Sequence, residues 1–150
     1  MTLIAMLLVA AQAAASVGAK PDFSGQWVLN ASESDFGLIP QPQCRGLKLS
    51  HREPELLLEE TGPGGEPCGL TPIRYTTDGT LVTYMANSVR RRARLTWSGS
   101  ALVIDRTDDD GVALRIEATL STDGRKLTRA FYAESPQGAT NWSYVYDRAK

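Results

Sequence analysis

The side chains that most often carry enzyme chemistry are few in this sequence. His51 is the only histidine among 150 residues, and no G-x-S-x-G motif marks a serine nucleophile. A Ser-His-Asp triad would therefore have a single possible base and no recognisable nucleophile. Neighbouring carboxylates such as Glu59 and Glu60 point to opposite faces of a strand. His51 stands at a predicted turn, where we expect it to be exposed. We predict no catalytic site.

Cys44 and Cys68 are the only cysteines. Together with His51 they would leave a tetrahedral zinc shell one ligand short, and neither belongs to a C-x-x-C pair. Two cysteines in an exported chain are typical of one disulfide. Such a bond would close a loop of about 25 residues and contribute about 3.5 kcal/mol in the chain-entropy model. We therefore predict a Cys44–Cys68 disulfide and no metal site.

The acidic stretch DDDGVALRIE resembles a calcium-binding loop in part. Asp108 and Asp110 stand at ligand spacing, and Glu117 falls where the bidentate ligand belongs. The first ligand position is Arg106, however, and the flanking residues alternate as strands do. The pattern favours a hairpin over a calcium site.

Arginine recurs in SVRRRARLTW, where Arg90, Arg92 and Arg94 share one face of a predicted strand. If this row points outward, it forms a solvated face that acids such as Asp105 balance across the sheet, or it contacts an anionic surface. If it points inward, it would bind a carboxylate. We expect the outward orientation.

Aromatic side chains dominate one face of the last apolar run, TNWSYVYDR. Trp142, Tyr144 and Tyr146 share the parity of Arg148, and Tyr132 on the preceding run could join them. Trp and Tyr rings around a cavity suit a small apolar or aromatic ligand, which phenol hydroxyls would orient. The alternative is that these rings simply fill the core.

The elements that position these residues are short strands. From Lys20 onward, apolar residues recur with period two and are separated by glycine-containing turns such as TTDG and STDG. Ten strands are predicted, near 23–30, 44–51, 55–61, 71–77, 80–87, 88–97, 101–107, 112–121, 125–133 and 139–148. One long bent strand across 80–97 is the alternative at the least certain junction. The irregular stretch 31–43 is expected to lie over one end of the fold.

Sequential hairpins favour an all-β, antiparallel up-and-down barrel of eight to ten strands over a sandwich, because closure removes the exposed edges. In a closed meander the last strand pairs with the first. Trp27 would then lie beside Arg148, and the guanidinium would stack on the indole and stiffen the base of the barrel.

Gly25-x-Trp27 on the first strand and Arg148 at the end of the last resemble the signature of the lipocalin and calycin superfamily. The runs DFSGQWVLN, TTDG, STDGRKLT and VYDR are also similar to a group of secreted bacterial lipocalin-like proteins. The sequence lacks the central T-D-Y motif of lipocalins and a clear C-terminal helix, so a ten-stranded barrel of the fatty-acid-binding type is the alternative. Some ten-stranded barrels bind haem through one late histidine. His51 is early, and we predict no cofactor.

The first nineteen residues carry no charge and contain an apolar, alanine-rich run followed by small residues. This pattern predicts a signal peptide over 1–19, a barrel domain over 20–150, and no membrane span after cleavage. The alternative is an N-terminal anchor that is not removed. We expect a secreted or periplasmic protein. The net charge of −1 gives no reason to expect nucleic acid or an anionic membrane as a partner.

These observations predict an exported, non-catalytic barrel that binds or sequesters a small hydrophobic molecule. One alternative is an interaction module with a packed interior. The other is a small-barrel isomerase or cyclase, which would need a buried acid or base such as His51 or Glu117.

Overall fold

The computed structural model describes residues 19–69 and 72–150, so most of the predicted signal peptide lies outside the described residues. The described chain forms ten strands and no helix. They are β1 (Gly25–Leu29), β2 (Gly46–Arg52), β3 (Glu55–Thr61), β4 (Ile73–Thr76), β5 (Val82–Ala86), β6 (Val89–Ser98), β7 (Ala101–Asp108), β8 (Ala113–Leu120), β9 (Lys126–Ser135) and β10 (Gly138–Arg148). All ten predicted strands are confirmed. No helix in the described part of the chain could cross a membrane.

The strands form one antiparallel sheet in the order β4-β3-β2-β1-β10-β9-β8-β7-β6-β5. The predicted pairing of the first strand with the last is confirmed, since β1 and β10 are hydrogen-bonded neighbours. The sheet curls into a nearly closed barrel. Its two ends are β4 and β5, and among the described residues no ladder joins them. We call the gap between these two strands the seam.

A tight turn at Asn87 and Ser88 separates β5 from β6, so the alternative of one long bent strand across 80–97 is wrong. Asn87 and Ser88 both have positive φ, 49° and 63°. Positive φ at both central residues is the geometry of a two-residue type I′ hairpin, whose twist matches that of the flanking strands. Asparagine tolerates this conformation better than most residues.

Trp27 and Arg148 occupy opposite positions on β1 and β10. The Trp27 side chain is buried, and the guanidinium of Arg148 lies 4.3 Å from the centre of its ring. Arg148 also donates to the carbonyl oxygens of Ser24 and Gly124. Gly25 makes room for this arginine, because a Cβ there would stand 2.5 Å from Arg148 Nη1 and the φ of Gly25 is +142°. The glycine two residues before the tryptophan is therefore required by the closure.

The residues before β1 plug the base of the barrel. Phe23 is fully buried, and its carbonyl accepts from Trp27 Nε1 at 3.1 Å. The expectation that His51 is exposed is wrong: 3% of its side chain is accessible. Its Nδ1 accepts from the backbone N–H of Phe23, which leaves Nε2 to donate to Glu53 at 2.9 Å. The N-terminal segment covers this histidine, and the local turn pattern around His51 does not predict that contact.

The turn between β4 and β5 seals the seam near the base. Gly79 donates its N–H to the Leu95 carbonyl at 3.0 Å, and Asp78 bridges to Thr96 on β6. The Asp78 carboxylate accepts from the Thr76 and Thr80 hydroxyls and from the Thr80 N–H. These hydrogen bonds lower the pKa of Asp78 to about 2. No such backbone bonds cross the seam between the described residues of β4 and β5 themselves.

The connection between β1 and β2 lies at the opposite end of the barrel from the base. It contains no helical turn, and Asp35 forms a bridge to Ser143 of β10. The disulfide between Cys44 and Cys68 is confirmed, with 5.7 Å between the two Cα atoms. It ties this connection to the glycine-rich loop that follows β3.

Candidate functional site

An interior cavity of 460 Å³ occupies the end of the barrel away from the base. Residues 42–44 of the β1–β2 connection bound it on one side, and inward-facing side chains from β2 to β10 form the rest of its wall. The volume is within the range of small-molecule sites. Below it, a void of only 20 Å³ lies among leucines and isoleucines. The base is therefore packed, and the other end has room for a ligand.

Aromatic rings from β9 and β10 form one wall of this cavity. Trp142 stacks on Phe131 with ring centres 5.0 Å apart and an angle of 7° between the planes. Tyr144 contacts Phe131 at 4.8 Å, and Tyr146 lies edge-on to Tyr144 at 6.3 Å. Phe36 of the β1–β2 connection packs against Tyr144 from above. Three of the four predicted ligand-binding residues, Trp142, Tyr144 and Tyr146, thus line the cavity.

Tyr132 does not join these rings, so its predicted place in the interior is wrong. It lies on the outer face of β9 with 46% of its surface exposed, while its neighbour Phe131 points inward. The reason is strand parity: the register pairs Trp142 with Phe131 and Asn141 with Tyr132. Tyr132 instead lines a shallow hollow on the outer face of β6 to β10.

Arginines project into the cavity from the side opposite the base. Arg106 of β7 donates two hydrogen bonds to the buried carboxylate of Asp108, at 2.8 and 2.9 Å. Arg91 of β6 approaches the same carboxylate, with Nε 3.4 Å from Oδ2. Two guanidinium groups therefore share one acid, which leaves this cluster with an excess positive charge.

Arg129 of β9 stands between the cavity and the small void below it. Its guanidinium carbon lies 5.0 Å from the centre of the Phe131 ring. Within residues 19–69 and 72–150, no carboxylate forms a salt bridge with Arg129. Glu60 also lines the cavity, whereas Asp108 lies behind the wall as the partner of Arg91 and Arg106. The three lining arginines, counted against Glu60 and Asp108 together, leave one net positive charge.

The cavity holds hydrogen-bond donors that lack acceptors. In the described structure, Trp142 Nε1 is buried and has no hydrogen-bond partner. Arg91 Nε is also buried and makes no hydrogen bond, although Asp108 Oδ2 lies 3.4 Å away. The hydroxyls of Tyr146 and Tyr75 add further donors, since phenols are protonated at neutral pH and burial raises the pKa of both. Unpaired buried donors are costly, so this wall is suited to a ligand that supplies acceptor atoms.

The row of Arg90, Arg92 and Arg94 faces outward, as expected. Arg94 stands directly opposite Asp105, although that carboxylate is engaged by Arg115 with two hydrogen bonds. The arginine that does point inward from this run is Arg91.

Neither proposed acid or base of an enzyme borders the cavity. His51 lies at the base, and Glu117 lies on the outer face of β8 opposite Val103 and Ala130. The acids of the hairpin between β7 and β8 have partners in the protein: Asp108 pairs with Arg106, Asp109 pairs with Arg92 of β6, and Asp110 accepts from the Val112 N–H.

Three cavity residues, Phe131, Arg106 and Arg129, were missed from the sequence although a signal for them exists. Arg106 has the parity of Leu102 and Ile104, and Arg129 has the parity of Leu127 and Phe131. A charged residue that continues the apolar face of a strand predicts an inward-pointing charge.

No known protein family matches the sequence by its family profile, and no curated protein matches it. Solved structures with similar folds are barrels of the lipocalin and calycin type. Secretory abundant heat soluble protein 4 from Ramazzottius varieornatus matches with a TM-score of 0.65 and 14% identity, over 85% of this chain and 95% of that one. Zebrafish ileal bile acid-binding protein complexed with cholic acid matches with a TM-score of 0.60 and 14% identity, over 85% and 98%. Fluorescent protein UnaG matches with a TM-score of 0.55 and 16% identity, over 85% and 97%. These likenesses show the fold.

Proposed function

We propose that this protein binds a small, mostly apolar molecule with an acidic group inside the barrel. The observation that carries the proposal is the interior cavity of 460 Å³, whose wall combines stacked aromatic rings with Arg129, a cation that has no salt-bridge partner in the described chain. The apolar part of the ligand would lie against Trp142 and Phe131. Its carboxylate or similar group would accept hydrogen bonds from Arg129.

The similar barrels support this proposal only in general terms. The zebrafish protein is a bile acid-binding protein complexed with cholic acid, which carries an acidic group. The cavity also argues against the alternative of an interaction module with a packed interior.

We further propose that the chain is exported, in keeping with the apolar N-terminus and the disulfide. The related barrel from Ramazzottius varieornatus is described as secretory. The grouping with secreted bacterial lipocalin-like proteins rests on the sequence resemblance.

A pair of fluorescent probes tests the binding site. 8-Anilino-1-naphthalenesulfonate carries a negative charge, and N-phenyl-1-naphthylamine is its neutral counterpart. We expect both to bind saturably with one molecule per chain. In Ala133→Trp the larger side chain takes up part of the cavity, so both probes should bind more weakly.

Arg129→Gln separates the role of charge from that of the apolar wall. Losing a hydrogen bond to a charged group costs about 1.5–3 kcal/mol, which corresponds to a roughly 10- to 100-fold weaker Kd for the sulfonate. The neutral probe should bind Arg129→Gln as it binds the wild type. Arg115→Gln is the matched control, because Arg115 lies on the outer face in an ion pair with Asp105. Absence of saturable binding, or equal effects of the two substitutions, would refute the proposal.

A further inference from the structure

The outer surface beside the seam combines exposed apolar side chains with arginines. Leu81, immediately before the edge strand β5, and Met85 within it have 46% and 60% of their surfaces exposed. They are two of five large apolar residues exposed in the described chain. An edge strand is usually protected by charged residues or proline. Here the outward positions of β5 are Thr83 and Met85, and Leu81 immediately precedes the strand.

The neighbouring strand adds the cations. The register places Met85 opposite Arg90 and Thr83 opposite Arg92. Leu81 and Arg94 line the same hollow on the outer face. We call the set formed by Leu81 and the outward residues on β5 and β6, as far as Arg94, the edge strip. Arg90 and Arg94 are four residues apart, so the row extends about 14 Å. Along the strip, each apolar or threonine side chain lies beside an arginine.

The positive charge is local to the edge strip. Over the outer faces of β4 to β8 and the turns between them, five arginines are balanced by five acids: Arg74, Arg90, Arg92, Arg94 and Arg115 against Asp78, Asp105, Asp109, Asp110 and Glu117. Within the strip, Arg94 donates to the Gly79 carbonyl oxygen, and Asp105 opposite it is engaged by Arg115. Arg90 and Arg92 share the single carboxylate of Asp109.

We propose that the edge strip docks on the surface of an anionic lipid bilayer. Arginine forks bind phosphate groups, and Met85 and Leu81 would enter the interfacial region between them. Pure polyanion binding would not explain the two apolar side chains, and a purely apolar partner would not explain the arginine row. The strip also adjoins the seam. Tyr75 of β4 and Tyr84 of β5 lie on the two sides of the seam and line the interior cavity. Docking would therefore bring the seam to the surface of the membrane in which hydrophobic molecules dissolve.

Vesicle flotation of the ligand-free full chain tests the docking. We expect binding to vesicles of 70% dioleoyl phosphatidylcholine and 30% dioleoyl phosphatidylglycerol at low ionic strength. Binding should weaken by at least about tenfold in high salt, where charges are screened, and on vesicles of phosphatidylcholine alone. Equal binding to the two lipid compositions, or none to the anionic vesicles at low salt, would overturn the proposal.

Substitutions locate the contact. Each arginine near an anionic surface contributes about 1 kcal/mol, or about fivefold, so Arg90→Gln with Arg92→Gln should weaken vesicle binding about 25-fold. Met85→Ser should also weaken it. Val28→Ser and Lys48→Gln alter the outer face on β1 and β2 and should bind as the wild type does. Unchanged binding by the double arginine variant would overturn the proposal.

Other occupants of the strip give different results. Retention on heparin with no flotation would assign the strip to a soluble polyanion, and a dimer in sedimentation velocity that Met85→Ser abolishes would assign it to a second copy. Either result overturns the proposal. Probe binding in the interior is measured without vesicles, so the failure of one proposal is distinguishable from the failure of the other.

Discussion

Replacing Trp27 with alanine tests the closure of the barrel most directly. The side chain is 1% exposed and belongs to the main hydrophobic cluster, so its removal leaves a cavity that the base cannot fill. Tryptophan-to-alanine substitutions in cores cost about 3–5 kcal/mol. The same change removes the hydrogen bond to the Phe23 carbonyl and the ring beneath Arg148. Because domains are stable by only about 5–15 kcal/mol, this is a large fraction of the total.

Urea unfolding followed by far-UV circular dichroism measures the effect. We expect the midpoint to fall with little change in the slope m, since the fold and its buried surface are otherwise kept. Arg148→Met is the companion variant: a guanidinium stacked on an aromatic ring contributes about 0.5–2 kcal/mol, so its cost should be smaller. In a double-mutant cycle the two substitutions should cost less together than the sum of their separate costs.

A free energy of unfolding for Trp27→Ala within about 1 kcal/mol of the wild type would refute the reasoning. Removing a buried ring at the junction of the first and last strands should lower the free energy of unfolding by more than that. Additive costs in the cycle would show that Trp27 and Arg148 do not interact.

Three further predictions concern stability. Replacing Cys44 and Cys68 together with serine should lower the free energy of unfolding by about 3–4 kcal/mol, measured against the oxidised wild type in urea. Leu95→Ala should cost about 2–5 kcal/mol because Leu95 is fully buried, whereas Leu38→Ala, at a residue 99% exposed, should leave the melting temperature unchanged. The pKa of Asp78 is lowered on folding, so its contribution is complete above about pH 4 and is lost as the pH falls towards 2. Thermal melts of Asp78→Asn should therefore show a shallower loss of stability over that pH range than the wild type.

The pattern of the sequence predicts the strands well because period-two alternation and turn residues are local properties. The β8 run shows this, with Leu114 and Ile116 inside and Arg115 outside, as the alternation requires. The same local rule failed at His51. Its burial depends on Phe23, which is 28 residues away in the sequence and covers it from another segment.

The cavity was predicted only in part. Trp142, Tyr144 and Tyr146 follow from parity on one strand, whereas Tyr132 was assigned to the interior without a register. Register between neighbouring strands decides which of Phe131 and Tyr132 points inward, since a shift of one residue exchanges the two faces.

The sequence by itself determined the ten strands, the disulfide partners and the closure of the barrel through its first and last strands, because alternation, cysteine count and the Gly25-x-Trp27 motif are all written in the chain. Only the tertiary structure decided that Arg106 and Arg129 share an interior with the aromatic rings, that the seam lies between β4 and β5, and that Leu81 and Met85 stand beside the arginine row. The physical reason is that sheet register and curvature bring together residues distant along the chain, and no local pattern encodes the distances between them.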